Sequence, residues 1–525
     1  MSFLNSRSHL FFLLCGVLLL SLVLFLPLQH YNVFESPDEN ANYLTTKLYA
    51  DTGQLWYTEE YTWLDFENYL HPRHFVTHGD KVVPTEFLGL PVIYGPLFSI
   101  FGAASAIVWT IIFTLLTYVY FIKLSILLYG EKAGLYAPFI FLANLPLIFY
   151  LNFPYYNATG AICFFICGIF YLAKFNASDG NRYLLVSVIL FSLSILFRLE
   201  YSVFIALLFA IVLVNKYRLK IKNYLKLIAL IISIVIIYCI FPILLLNFEV
   251  YGKATTFGTQ LLQVSSIGQE GMKWWQFFFP YSIIPEIVLT NIYRLLFQLQ
   301  PILALFAVIG LVYCFRYYKY DRLKLLYLVL VTYILVYFGS SDTYLAYEFS
   351  YLGLEVSIIR YWLIIYFFLS IMTVAGLQFL NRYFKFTPFV IVVLLITSIT
   401  SLLVDNERSM MDLSESQEYR QQTIANIKSV INSKSIVYTD TFDKVLEPNG
   451  INAATWWAAD KTYNPDKLTE SMTRLNTETD YSIYLYSTSS YVDVNELNAI
   501  LKRQNLILER YPEIRGFYKL EENVE

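Results

Sequence analysis

Leu10-Phe-Phe-Leu-Leu-Cys-Gly-Val-Leu-Leu-Leu-Ser-Leu-Val-Leu-Phe-Leu-Pro-Leu28 runs for 19 residues without a charge. A helix needs about 20 apolar residues to cross a hydrocarbon core about 30 Å thick, so this stretch reads as a membrane span. Further runs follow near 103–128, 133–149, 157–173, 183–198, 201–214, 227–246, 298–314, 324–339, 361–380 and 388–404. They predict an all-α polytopic membrane protein with about eleven transmembrane helices. The first run is expected to be retained: it is long, and no small-x-small cleavage site precedes Gln29-His30-Tyr31. Composition agrees. Of 525 residues 57% are hydrophobic, 18% aromatic and only 15% charged, with mean hydropathy +0.53, whereas soluble domains carry about 25% charged residues. A soluble globular or disordered chain is thereby excluded. A net charge of −3 leaves no basic excess for a phosphate backbone, so no nucleic-acid partner is expected. Cys15, Cys163, Cys167, Cys239 and Cys314 all lie inside apolar runs, against both a disulfide framework and a thiolate metal site.

The loops divide by charge. Loops 1–9, 129–133, 174–183, 215–226, 315–324 and 381–387 hold 15 Lys or Arg in 53 residues. Loops 29–90, 149–157, 198–201, 247–297 and 340–360 hold 8 in 147. Positive loops stay cytoplasmic, which puts the N-terminus inside and, after eleven spans, the C-terminus outside. The three large extramembrane pieces, 29–90, 247–297 and the tail 405–525, are then all external. The tail reads as a separate small α/β domain. Its Ser414 to Asn432 stretch predicts a helix, Ser435-Ile-Val-Tyr-Thr439 and Tyr481-Ser-Ile-Tyr-Leu-Tyr486 predict strands, and Leu506 to Leu520 a hairpin around Glu513. There is no internal repeat and no Gly-rich phosphate loop.

The first external loop opens with Phe34-Glu-Ser-Pro-Asp-Glu-Asn-Ala-Asn-Tyr43. Pro37 suits the first turn of a helix, and Asp38 and Glu39 then lie at its N-terminus, where the dipole favours carboxylates. A charged first turn at a membrane surface is common, but this acid pair begins a long loop just past a span.

Ser36-Pro-Asp-Glu39, with Asn42-Tyr43 and Asp51-Thr-Gly53, resembles the first-loop signature of the GT-C class of membrane glycosyltransferases. That class includes the protein O-mannosyltransferases and the aminoarabinose transferases of lipid A. Ile359-Arg-Tyr-Trp362 at the tenth span and Phe197-Arg198 at the end of the fifth are further points of similarity. The resemblance covers roughly 10–400 as a topology. It implies a GT-C-like transmembrane domain over 1–404, a polyprenyl-phosphate sugar as donor, and an acid of this loop as catalytic base, Asp38 ahead of Glu39. Several members carry another acid in the external loop after the third span. Here that loop is Asn152-Phe-Pro-Tyr-Tyr-Asn157, so no two-carboxylate metal site is carried over and no metal or other cofactor is assigned.

The arginines have an argument of their own. A charge at membrane depth costs about 2.5–3.5 kcal/mol on insertion scales and marks function by default. Arg198 and Arg360 both fall at external span ends, where guanidinium groups suit a lipid phosphate. Snorkelling to headgroups, or pairing of Arg198 with Glu200, is the plainer explanation. Arg73 and Lys81 in the first loop are further phosphate candidates. His71, His74 and His78 have spacings that would put metal ligands on one helical face, which Pro72 disfavours; loop and substrate-contact roles stand beside that. Trp274-Trp275-Gln-Phe-Phe-Phe-Pro280 reads as an interfacial anchor facing membrane lipids, or else a lid. Trp456-Trp457 reads as core of the tail, or else a sugar-stacking surface.

With no nucleotide motif, the sugar should arrive already linked to lipid. The expected reaction is inverting transfer on the extracytoplasmic face to a protein, lipid or glycan acceptor. In it, Asp38 takes the acceptor proton while Arg198 and Arg360 stabilise the leaving phosphate. A membrane transporter would place charges near midspan and repeat its broken helices. A non-catalytic scaffold for glycan assembly would use the acids only structurally. An O-antigen ligase or polymerase would build its site in a late loop.

Overall fold

The computed structural model describes residues 6–29, 34–65, 70–178, 180–217, 231–258, 261, 284–317, 331–337, 358–383, 387–403, 410–455, 463–487 and 492–523. Trp274–Pro280, Trp456, Trp457 and most of the expected span 324–339 lie outside them. Among the described residues four helices are long and apolar enough to cross a membrane: Gly89–Tyr129, Asn157–Ala177, Ile231–Tyr251 and Leu363–Leu380. Two bent pairs raise the number to six if each is one span, and four shorter apolar helices accompany them. The chain divides into two compact units.

The first unit is Met1–Gln29, Ile107–Pro242 and Gly271–Leu413. Apolar side chains cannot drive helices together in lipid, so small residues and interhelical hydrogen bonds do so. Helices Asn157–Ala177 and Asn181–Phe197 show this: Ser187 and Ser194 donate to the carbonyls of Gly168 and Ala161 at 2.8 and 2.7 Å. Helices Pro301–Tyr317 and Leu363–Leu380 cross more closely still. A Cβ on Gly310 would lie 1.9 Å from the Met372 carbonyl oxygen, and one on Gly376 2.2 Å from that of Phe306. Thr373 Oγ1 donates to Leu303 O at 2.9 Å in the same contact.

One expected span is broken. Residues 133–149 form Ala133–Leu142 and Leu145–Leu151, bent by 64°. Pro146 lacks the N–H that a continuous helix needs, and Asn144 restarts the chain by accepting from Leu147 N. Its amide also donates to Tyr366 O and Ser370 Oγ at 3.1 and 2.9 Å. A break at membrane depth is tolerated where the protein supplies such partners. Pro285–Gln298 and Pro301–Arg316 meet at 108°.

The second unit is His30–Ala106, Ile243–Glu270 and Ser414–Glu525. Where the sequence suggests a boundary at 404/405 and a tail of its own, this unit combines most of the tail with the first external loop. Tyr61, Leu64 and Leu70 of the loop share a buried core with Tyr438, Leu468 and Leu485 of the tail. The loop itself starts as helix Pro37–Thr52, as Pro37 implies. Ser36 caps it by accepting from Asp38 N, and Gly53 closes it at φ +75°. A two-stranded hairpin follows, β1 (Phe75–His78) antiparallel to β2 (Lys81–Pro84).

In the tail, β3 (Ser435–Thr439), β4 (Asn452–Thr455), β5 (Ser482–Tyr486), β6 (Leu506–Arg510) and β7 (Phe517–Glu522) form one sheet in the order β4-β3-β5-β7-β6. β3 runs parallel to β4 and β5, while β6 and β7 form the expected hairpin. Helix Pro465–Glu478 buries Leu468, Met472 and Leu475, a helical period that seats it on the sheet.

Candidate functional site

The acid pair of the first loop separates into two environments. Asp38 is half-buried in the first helical turn and Glu39 is 2% exposed. Glu39 Oε2 accepts from Glu35 N at 3.3 Å. Burial, aided by the Glu35 charge, pushes its carboxyl up to about 8 against the pull of that hydrogen bond. Glu35 instead carries the ion pair: its carboxylate meets Arg420 Nη1 at 2.7 Å and Gln417 Nε2 at 3.3 Å, and Lys444 Nζ donates to its backbone carbonyl.

Asp38 faces His74. Nε2 of that ring lies 3.2 Å from Asp38 Oδ1, and Nδ1 lies 2.8 Å from Glu86 Oε1. Burial lowers the affinity of His74 for a proton, but the Asp38 charge and the hydrogen bond and charge of Glu86 outweigh it, and the net direction is up. The segment before β1 is a turn, with His74 itself at φ +64°, so the three histidines do not share a helical face. His71 is buried, its Nδ1 3.0 Å from Pro72 O and its Nε2 3.8 Å from Asp65 Oδ2. His78 is exposed at the hairpin tip.

Asp38, His74 and Glu86 are close enough to offer an ion one ligand atom each, a donor set suited to Zn²⁺. As placed, however, each ring nitrogen faces a carboxylate, and a cation would have to displace the hydrogen bond. No metal is assigned to the cluster.

The four cations take distinct positions. Arg73 is engaged by Asp443: its backbone N and Nε bond the carboxylate at 2.8 Å each, Nη2 lies 2.7 Å from Oδ1, and Nη2 also donates to Thr441 O. Lys81 Nζ sits 3.8 Å over the Trp56 ring. In the first unit Arg198 caps helix Asn181–Phe197, is 6% exposed, and pairs with Glu200 at 3.2 Å. Its guanidinium lies 4.3 Å over Tyr361, and that of Arg360 lies 5.3 Å from the same ring and 5.1 Å over Tyr156. Arg198 Nε is buried and bonds no described group. The first unit thus brings Arg198 and Arg360 to one aromatic ring, while in the second unit Asp38 meets neither Arg73 nor Lys81 among the described contacts.

No local sequence signal marks Glu86, Glu35 or Tyr361 as a site residue. Glu86 follows Pro84-Thr85 at the end of a hairpin, with no spacing rule that ties it to Asp38. Tyr361 stands inside the Ile359–Trp362 motif, but nothing local marks its ring as a platform for two guanidinium groups.

No protein-family model matches the chain, and no curated protein matches it significantly. Among solved structures eleven chains match. One is the crystal structure of ArnT from Cupriavidus metallidurans in the apo state, with a TM-score of 0.57, 10% sequence identity, and 97% of each chain covered. At that identity the likeness is one of fold. Together with the apolar helices, it makes this chain an integral membrane protein with an ArnT-like, multi-span architecture.

Proposed function

We propose that this protein is a membrane glycosyltransferase that moves a sugar from a polyprenyl-phosphate carrier to a hydroxyl acceptor. The observation that carries the reading is the carboxylate of Asp38, set in a polar cluster at a helix start, in a chain that shares its fold end to end with ArnT, an aminoarabinose transferase of the GT-C class. In this reading the acceptor oxygen attacks the anomeric carbon, Asp38 takes its proton, and the bond to the phosphate breaks. Polyprenyl phosphate leaves and the anomeric centre inverts. Asp38 is the better base of the acid pair, because Glu39 is buried and holds its proton near neutrality. Arg198 and Arg360 are assigned to the phosphate. Their shared stacking on Tyr361 supports this, since it holds two guanidinium planes in fixed orientations. Arg73 is not used, being held by Asp443.

The test is donor class. Membranes containing the protein and their own acceptors are supplied with undecaprenyl phosphate carrying mannose, glucose, galactose or arabinose, and released undecaprenyl phosphate is measured. Release with at least one donor, dependent on Asp38, is expected. Transfer from soluble nucleotide sugars in membranes stripped of carrier lipid would reject the reading. The loop charges support the extracytoplasmic side for the reaction. A cysteine at Ser414 should then react with an impermeant thiol reagent and one at Lys220 should not, and the reverse pattern would overturn the orientation.

A further inference from the structure

Asp38, His74 and Glu86 form a compact cluster in which each ring nitrogen of His74 lies against a carboxylate. Glu86 Oε1 stands 2.8 Å from His74 Nδ1, and His74 Nε2 stands 3.2 Å from Asp38 Oδ1. They come from three places in the second unit: the first helical turn, the turn leading into β1, and the segment after β2. With a carboxylate at each nitrogen, the ring cannot rotate without losing both contacts. A carboxylate on one side that orients an imidazole for a partner on the other is a recurrent way to fix ring direction.

The backbone of His74 adds independent weight. Its φ of +64° lies in the left-handed region, which non-glycine residues occupy at a cost of about 1–3 kcal/mol where the surroundings enforce it. Thr85 enforces it here: Thr85 N and Oγ1 both donate to the His74 carbonyl, at 2.8 and 3.0 Å. Glycine would take this conformation without strain. A histidine in such a place is a strained residue whose side chain bridges two acids, one of them the base assigned above.

We propose that His74, seated by Glu86, is a positioning residue that holds the Asp38 carboxylate in orientation for sugar transfer. The inference rests on Asp38 being the base of the proposed glycosyltransferase. The proton from the acceptor goes to Asp38, and His74 keeps its own protons throughout.

The experiment compares His74→Gly, Glu86→Gln and Asp38→Asn in the full-length protein, by release of undecaprenyl phosphate from undecaprenyl-phosphate sugars. His74→Gly relieves the backbone but leaves two carboxylates facing each other, so the variants are compared at a temperature where each is shown to be folded. Misplacing a catalytic group can cost about 10²-fold, and a kcat loss of that order is expected with donor KM unchanged. Added imidazole should restore part of the His74→Gly rate and none of the Asp38→Asn rate. Glu86→Gln, which keeps size, should lower kcat in the same direction. Wild-type kcat in either His74→Gly or Glu86→Gln, with Asp38→Asn inactive, overturns the positioning role and leaves the base in place. An active Asp38→Asn removes the reading beneath it as well. Loss of wild-type activity on chelation, restored by Zn²⁺ and abolished in His74→Gly, would make the cluster a metal site and also overturn the proposal.

Discussion

Arg73 and Asp443, 370 residues apart in sequence, are joined by three contacts between 2.7 and 2.8 Å, two of them hydrogen bonds. The Asp443 side chain is fully buried. The pair therefore ties the first external loop to the tail within one compact unit. Breaking a buried pair by removing one partner typically costs about 3–5 kcal/mol; Arg73 is partly exposed, so the lower end applies. Arg73→Ala should lower the thermal midpoint and speed proteolysis of the tail, and Arg73→Ala with Asp443→Ala should cost less than the sum of the two single changes. Additive effects, or a change in donor kinetics with unchanged stability, would return Arg73 to the list of phosphate contacts.

The base assignment has its own test. Asp38→Asn keeps the side-chain size and the Ser36 cap but removes the proton-accepting charge. Loss of a general base typically slows a reaction by about 10²–10⁴. Transfer should fall by at least two orders of magnitude at wild-type thermal stability, while Glu39→Gln stays active. Near-normal turnover of Asp38→Asn rejects the assignment, and an inactive Glu39→Gln moves it by one residue.

Glu39 also predicts a stability profile. Its folded pKa is raised from 4.5 to about 8 by burial and by Glu35. The folded state therefore binds a proton that the unfolded chain releases. Stability from this group is full below pH about 4.5, declines as pH rises towards about 8, and is level above that. Glu447 is raised to about 8, chiefly by burial, and slopes the same way. Glu39→Gln should flatten part of the decline in the thermal midpoint between these limits. An unchanged profile would mean that Glu39 is ionised in the folded protein.

Arg198→Ala and Arg360→Ala should each weaken donor use by about 1.5–3 kcal/mol, the usual worth of a hydrogen bond to a charged group. Lysine should rescue only in part, because it presents neither a planar fork nor a flat face for Tyr361. Wild-type donor kinetics in both alanine variants would leave the arginines as structural partners of Glu200 and Tyr361.

Several features could be read from local signals alone. Uninterrupted apolar runs marked helices such as Asn157–Ala177 and Leu363–Leu380. Pro37 behind Ser36 marked a helix start, and alternating β-formers marked Ser435–Thr439. Each signal lies within a few residues of what it specifies, because span length, capping and pleat are short-range physics. The placement of acids at a helix start was legible in the same way.

Tertiary structure alone decided which of those residues meet. Residues 133–149 are as apolar as a straight span, yet they break at Asn144, whose amide finds partners on another helix. Gly310 and Gly376 look like ordinary helix residues until the two backbones cross. The pairing of His74 with Asp38 and Glu86, the burial that separates Glu39 from Asp38, and the tie of Arg73 to Asp443 have no spacing that announces them. Contacts of this kind depend on where chain segments distant in sequence come to rest, and burial and neighbouring charge then determine which of two adjacent carboxyls keeps its proton.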